Sequence, residues 1–271
     1  MPAELVLATW NINSVRLRRP IVERLLNEIE PDVLCLQEAK CQDGQFPAAD
    51  FRKIGYPYVA LNGGRGGYHG VAIVSRLPLG DIKARDFCGK GGDPRHVSAV
   101  VEVGGTALRL HNFYVPAGGD EPDVSVNPKF EHKLRFLDEM AAWLPETAAD
   151  LPSVVVGDLN VAPYEHDVWS HKALIKIVSH TPVECDKLEV ARQAAGYVDL
   201  ARQFVPMDQK LYSWWSYRAA DWRAADKGRR LDHIWAHPEL ADKAASYRVL
   251  KEARGWERPS DHAPVLVKFA L

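Results

Sequence analysis

Short apolar runs recur from one end of this sequence to the other, and several end in a polar residue where a turn residue would be ordinary. Leu5 to Trp10 runs into Asn11, Ile12 and Asn13, and Asp32 to Gln37 runs into Glu38. Ala107 to Val115 carries Tyr114 at its end, and Ser153 to Val156 leads into Gly157, Asp158, Leu159 and Asn160. Leu231 to Ala236 holds Asp232, and Asp261 and His262 precede a closing run, Pro264 to Phe269. Similar runs lie at Tyr58 to Leu61, Val71 to Val74 and Val97 to Val103. Consecutive apolar residues bounded by Gly and Pro suit strands covered on both faces. A chain with many such strands must stack sheets against further layers, which favours a layered α/β sandwich over a barrel.

Helical spacing marks Pro20 to Ile29, with Ile21, Val22, Leu25, Leu26 and Ile29 on one face, and further helices are expected at Pro128 to Leu144 and Lys187 to Ala195. The glycine-rich LNGGRGGYHG and GKGGDP read as loops, and neither a low-complexity linker nor an internal repeat divides the chain. With 271 residues, 46% of them hydrophobic, a single domain over 1–271 is expected. No apolar stretch approaches a membrane span, and the opening MPAELVLATW lacks a basic signal region, so a soluble, cytoplasmic protein is expected. Cys35, Cys41, Cys88 and Cys185 form no CxxC pair and read as free thiols. The net charge of −2 gives no overall pull toward a polyanion. Arg16, Arg18 and Arg19, then Arg223, Lys227, Arg229 and Arg230, then Arg254 and Arg258, are compatible with local phosphate contacts and equally with solvated surface charge.

Strand ends on one edge of a sandwich converge, so these amides, carboxylates and one imidazole make the pattern expected of hard-metal phosphoryl-transfer chemistry. Magnesium takes oxygen ligands, commonly one or two carboxylates, and leaves positions for water and phosphate. Glu38 is the best single candidate for it, although an acid after a strand also opens helices. Asp158 and Asn160 alternate, so both can face one site, the carboxylate handling a proton and the amide a phosphate oxygen. Gly-Asp and Asn also make turns. His262 can lie near Asp232, which would orient the ring and favour its cation, whereas a lone histidine is usually structural. Tyr114 reads equally as a core aromatic.

Together TWNINSVR, LCLQEAKC, GYHGVAIVS, NFYVPAG, VVVGDLNVAP, RRLDHIW and PSDHAPV resemble, in order and over almost the whole chain, the exonuclease III and AP endonuclease family of the endonuclease/exonuclease/phosphatase superfamily. The resemblance implies a four-layer α-β-β-α sandwich of two packed mixed sheets with one site at the sheet edge. It implies a hydrolase that cuts double-stranded DNA on the 5′ side of abasic sites, or removes 3′-terminal nucleotides and blocking groups. Magnesium, with manganese as a substitute, would sit on Glu38, with Asn11 and Asp261 assisting and Asp158, Asn160 and His262 close by. Asp158 would activate water or protonate the leaving oxygen, Asn160 and Tyr114 would steady the phosphate, and His262 backed by Asp232 would stabilise developing charge. Gly67 and Tyr68 resemble a loop on the DNA backbone, and Trp214 and Leu231 fall where the family lines a pocket for a flipped abasic sugar. The Trp residues of SWWSY suit a core as well. This chemistry requires no second subunit, and a monomer is expected.

The chain departs from the pattern at Ala117, where an amide often follows YVP, and at Arg229, where a large apolar residue often precedes RLD. Both changes bear on the balance between abasic-site incision and 3′ to 5′ digestion. The rival readings are a phosphatase or phosphodiesterase of the same superfamily acting on a non-DNA ester, and a catalytically silent DNA-binding domain. A secreted DNase-like enzyme fits poorly without a signal peptide or disulfide spacing.

Overall fold

The computed structural model describes residues 3–64, 67–89 and 91–271. Fourteen strands run through the described residues. The first four, β1 (Glu4–Asn11), β2 (Val33–Gln37), β3 (Tyr58–Asn62) and β4 (Val71–Ser75), belong to one sheet. The next five, β5 (Gly80–Lys83), β6 (His96–Val103), β7 (Thr106–Tyr114), β8 (Ser153–Asp158) and β9 (Val198–Asp199), belong to a second. A ribbon follows, β10 (Trp214–Trp215) and β11 (Gly228–Arg229). Then β12 (Asp232–Ala236) rejoins the second sheet, and β13 (Ala244–Val249) and β14 (Val265–Ala270) complete the first.

The orders are β13-β14-β1-β2-β4-β3 and β5-β6-β7-β8-β12-β9. Each sheet has one parallel pair at its centre, β1 with β2 and β7 with β8, and antiparallel pairs elsewhere. The two sheets thus share one pattern of strand directions although the sequence carries no repeat. A parallel pair needs a long crossover, supplied by the helices Arg19–Glu28 and Pro128–Ala148. Parallel strands present their C-terminal ends together, where α/β folds place their sites.

Side chains alternate across each strand, and both faces are covered, which accounts for the consecutive apolar residues. Leu5 and Leu7 of β1 face Val154 and Val156 of β8 in the core between the sheets. Ala8 and Trp10 point outward onto Ile21, Val22, Leu25 and Leu26 of the first crossover helix. Val155, Phe113 and Trp235 point the other way onto Phe136, Leu137, Met140 and Leu144 of the second. The result is the expected α-β-β-α stack, and each such aliphatic chain contributes roughly 1.5–3 kcal/mol by leaving water. Cys35, Cys41 and Cys185 are free thiols, and Cys35 is core. Among the described residues no helix is long and apolar enough to cross a membrane.

Three readings are corrected. The third helix spans Pro182–Ala194, so it starts five residues before Lys187. Strands β5 and β13 lie at sheet edges and were not foreseen, because their residues are largely exposed. Arg230 makes no phosphate contact: it is fully buried, with Nη2 2.8 Å from Asp167 and 2.9 Å from Asp199, tying the 167 segment and β9 to the β12 lead-in. The acidic Gly118 to Asn127 segment has a structural task. Asn127 Oδ1 accepts from the Lys129 and Phe130 amides at the helix start, and its Nδ2 donates to the Gly118 carbonyl at 2.9 Å.

Candidate active site

Strand register brings the expected site residues together. Tyr114 of β7 pairs with Asp158 of β8, and Asp158 pairs in turn with Asp232 of β12, so three strands set these residues side by side. Gly157 sits between Phe113 and His233 with φ +136°, and a Cβ there would lie 2.0 Å from the Phe113 carbonyl oxygen, which restricts this position to glycine. From the facing sheet come Asn11 at the end of β1 and Glu38 just past β2.

The sheets meet through Asn11. Its Nδ2 donates to Glu38 Oε1 at 2.9 Å and to Asp158 Oδ2 at 2.8 Å, while its Oδ1 accepts the Asn13 amide at 3.1 Å. One amide therefore bridges two carboxylates, with its oxygen turned away from them. Asp158 also accepts the Asn160 backbone N–H at 3.0 Å and Asn160 Nδ2 at 3.1 Å, the latter group donating as well to the Val115 carbonyl at 2.9 Å. Asn160 fixes the carboxylate directly. Glu38 and Asn160 hold φ of 50° and 54°, and Asn13 and Lys40 both 49°. Left-handed backbone at non-glycine residues costs on the order of 1–3 kcal/mol each and gathers where a site demands it.

On the other side of Asp158 stands the imidazole. His262 Nδ1 lies 2.8 Å from Asp232 Oδ2, and Nε2 lies 3.7 Å from Asp158 Oδ2. Ser213 Oγ donates to Asp232 Oδ2 at 2.6 Å and itself receives the Leu231 and Asp232 amides. The Trp10 indole donates to the His262 carbonyl at 2.9 Å, and Ser260 Oγ receives the His262 amide at 3.2 Å. Asp261 accepts the Trp214 indole N–H at 3.0 Å and Asn13 Nδ2 at 3.4 Å.

Burial sets the electrostatics. It pushes the Asp158 carboxyl up to about 7; nearby His262 pulls it down and Asp232 adds to the rise. Burial alone would discharge His262, but Asp232 and Asp158 outweigh it and raise the imidazolium to about 10. For Glu38, burial is outweighed by Lys40 and Asn11, so the carboxylate is held below its ordinary range. Burial, with Glu38 and Asp158 nearby, raises Tyr114 well above an ordinary phenol, leaving a protonated donor. One site thus combines a neutral donor, a cation and carboxylates of opposed tendencies.

Five of the expected residues come together, Glu38, Asn11 and Asp158 joined by hydrogen bonds and Asp232 hydrogen-bonded to His262, which faces Asp158 at 3.7 Å, with Asn160 and Tyr114 against them. Asp261 joins from the flank. The GYHG loop packs along the Glu38 side: Lys40 N–H donates to the His69 carbonyl at 2.8 Å and Ala39 N–H to Gly70 at 3.0 Å. Gly67 turns this loop with φ 79°, and the Tyr68 ring is 70% exposed beside it. On the opposite flank Trp214 bridges His262 in antiparallel fashion, with the Arg229 guanidinium 5.4 Å from its ring centroid. Leu231 is buried in a small apolar cluster with Ala162, Val168 and Leu174.

Four participants were missed in the sequence. Lys40 Nζ contacts Glu38 Oε2 and Asn13 Oδ1, both at 2.6 Å, and its place two residues past Glu38 in LQEAK was the available signal. Arg95 Nη1 donates to the Tyr114 carbonyl at 3.3 Å, and its guanidinium carbon lies 4.8 Å from that ring. Ser213 supports Asp232, and buried Lys133 donates to the Asn160 carbonyl at 2.8 Å while pairing with Glu184. Nothing in local spacing points to Ser213, Arg95 or Lys133, because each reaches the site only through the tertiary fold.

The model of the "Endonuclease/Exonuclease/phosphatase family" matches residues 8–262, a span that begins just before Asn11 and ends on His262. The chain belongs to this family. Within it the similarity runs to the exonuclease III and AP endonuclease branch. An AP endonuclease from Archaeoglobus fulgidus superposes with a TM-score of 0.89 at 32% identity, covering 98% of this chain and 100% of that one. A 3′ phosphatase, NExo, from Neisseria, solved bound to a product DNA hairpin, gives a TM-score of 0.89 at 31% identity over the same shares. Exodeoxyribonuclease III from Haemophilus influenzae is 28% identical over 270 residues, 96% of this chain and 98% of that protein. The matched span contains Asn11, Glu38, Asp158 and His262, which lie at the edge where the two parallel strand pairs end.

Proposed function

We propose that this chain is a divalent-metal-dependent DNA repair nuclease, acting as a monomer, that hydrolyses phosphodiester bonds 5′ to abasic sites or at 3′ ends of duplex DNA. The observation that carries the reading is the Asn11 amide joining Glu38 to Asp158 while His262, backed by Asp232, faces Asp158 from the other side. That arrangement supplies a base or acid, a cation and a metal-binding carboxylate around one space, which is what hydrolysis of a charged ester needs. The Haemophilus and Archaeoglobus proteins, named for exodeoxyribonuclease III and AP endonuclease activity, support DNA as the substrate.

The donors suit magnesium. They are mainly carboxylate oxygens, and burial of the Glu38 carboxylate is outweighed by Lys40 and Asn11, which hold it charged, below its ordinary range. Lys40 already holds positive charge against Glu38. We assign the ion to Glu38, assisted by Asp261 and by Asn11, whose amide N–H group positions the Glu38 carboxylate, with manganese able to replace magnesium. When bound, the ion neutralises phosphate charge and lowers the pKa of bound water. Asp158 orients the attacking water or serves the leaving oxygen, the His262 cation faces the developing negative charge, Tyr114 donates to a phosphate oxygen, and Asn160 steadies the phosphate indirectly, by holding Asp158 in place. Tyr68 with Gly67, and Trp214 with Arg229 and Leu231, flank the bound strand.

The test is a labelled duplex with one abasic analogue, an undamaged duplex with a recessed 3′ end and an inositol polyphosphate, each with magnesium and with chelator. Metal-dependent cleavage of either DNA and none of the inositol ester is expected. Phosphate release from the inositol ester with both duplexes intact would replace this reading with the phosphatase one.

A further inference from the structure

Inward side chains recur at every second residue of a strand, so a residue of the reacting edge has its neighbour two positions back in the layer beneath it. Thr9 lies beneath Asn11 and Asn112 beneath Tyr114, while Gln37 pairs with Asn11 across β1 and β2 and directly precedes Glu38. One layer further in, the inward residues are apolar: Leu7, Cys35, Leu110 and Val154. Thr9, Gln37 and Asn112 are fully buried and form one hydrogen-bonded group that spans the two sheets. Gln37 Nε2 donates to Asn112 Oδ1 at 2.7 Å and to Thr9 Oγ1 at 2.9 Å. Asn112 Nδ2 donates to the Leu36 carbonyl at 3.0 Å and to the Ala72 carbonyl at 2.9 Å, and these two residues pair across β2 and β4. A side chain of β7 thus reaches over the gap of about 10 Å between stacked sheets and seats on the facing backbone.

Stability alone does not call for this layer. Replacing both partners of a buried hydrogen bond by apolar groups of the same shape can be nearly neutral or even stabilising. Gln37 Oε1 is buried without a partner, a cost that an apolar layer would not carry. What directed bonds add is register: apolar contact is non-directional, whereas the Asn112 bonds to two carbonyls fix β7 against β2 and β4. The parallel ladder passes that position from β7 to β8, where Asn112 pairs with Val156 and Tyr114 with Asp158. The Asn11 amide must meet Glu38 on its own sheet at 2.9 Å and Asp158 on the other at 2.8 Å, so a small slide of the sheets breaks the bridge. We infer that Asn112 and Gln37 are positioning residues for the hydrolysis proposed above, fixing the inter-sheet register at which Asn11 joins Glu38 to Asp158. The inference rests on the nuclease reading and extends it to residues that never touch the substrate.

The test is the triple variant Thr9→Val, Gln37→Met, Asn112→Leu, which keeps the volume of the layer and removes its directed bonds. Its melting temperature should stay within a few degrees of the wild type. Single-turnover incision of the abasic duplex in magnesium should slow on the order of 10²-fold, with KM and duplex affinity in chelator unchanged. Heteronuclear NMR in chelator gives a readout apart from activity. The Asn11 side-chain amide protons, held on two carboxylates in the wild type, should exchange with water much faster in the triple variant. Should that variant melt early, Gln37→Met alone, which leaves Asn112 on the facing backbone, should show faster exchange and a severalfold lower kcat at full stability. Wild-type kcat or wild-type exchange in a stably folded variant overturns the inference. A wild type that cuts no DNA refutes the nuclease reading, and the exchange result still decides whether the layer holds Asn11; a wild type that cuts, matched by the variants, refutes only the positioning role.

Discussion

Asp232 meets His262 Nδ1 through Oδ2, the same oxygen that accepts from Ser213, and so keeps that ring charged and aimed. Asp232→Asn should therefore lower kcat on the order of 10²-fold or more with little change in KM, read by single-turnover incision; unchanged kcat would remove His262 from the chemistry. Lys133 and Glu184, both fully buried and paired, support the site from behind through the Asn160 carbonyl. Lys133→Met leaves Glu184 unpaired and should cost about 3–5 kcal/mol in urea unfolding, whereas Lys133→Met with Glu184→Leu should cost clearly less. An additive double variant would show that the pair is not coupled. At this scale the sequence was informative where a residue ends a strand, as with Asn11, Glu38 and Asp158, or leads into one, as with His262. It was silent on Ser213, Arg95 and Lys133, whose partners lie far along the chain.

Elements were legible to the extent that burial dictated their composition. Central strands such as β1, β2 and β8 are covered on both faces and announce themselves as continuous apolar runs. Edge strands β5 and β13 bury little, so their residues read as loop. The early start of the Pro182–Ala194 helix was written in the capping box of Thr181 and Glu184, a polar signal that apolar spacing does not register. The Pro128–Ala148 helix begins on the Asn127 cap, which also holds the acidic loop in place. Asn127→Ala should cost about 1 kcal/mol and lower the melting temperature by a few degrees, as read by circular dichroism; no loss of stability would mean that the loop holds itself.

The whole molecule buries several neutral imidazoles away from the reacting edge. Burial, and then Arg109, lowers His111 to about 3, and burial with Arg230 lowers His233 to about 3. His96 is lowered well below its ordinary value by burial and by His111. In the unfolded chain these rings titrate near ~6.5, so the folded state binds fewer protons below that pH. Their contribution to stability is complete above about 6.5 and is lost as pH falls toward 3, at roughly 1.4 kcal/mol per group per pH unit. Thermal melts should shift downward steeply between pH 6.5 and 5, and less so in His111→Gln; a melting temperature flat over that range would contradict this. The two sheets, alike in strand directions but unlike in sequence, meet functionally at the Asn11 amide between Glu38 and Asp158. The most direct test is the single-turnover rate of 3′-end removal and abasic-site incision in magnesium for wild type and Asp158→Asn. A loss of about 10²–10⁴-fold in both reactions with duplex affinity preserved is expected, and a variant that cuts at the wild-type rate would contradict a hydrolytic centre at Asp158.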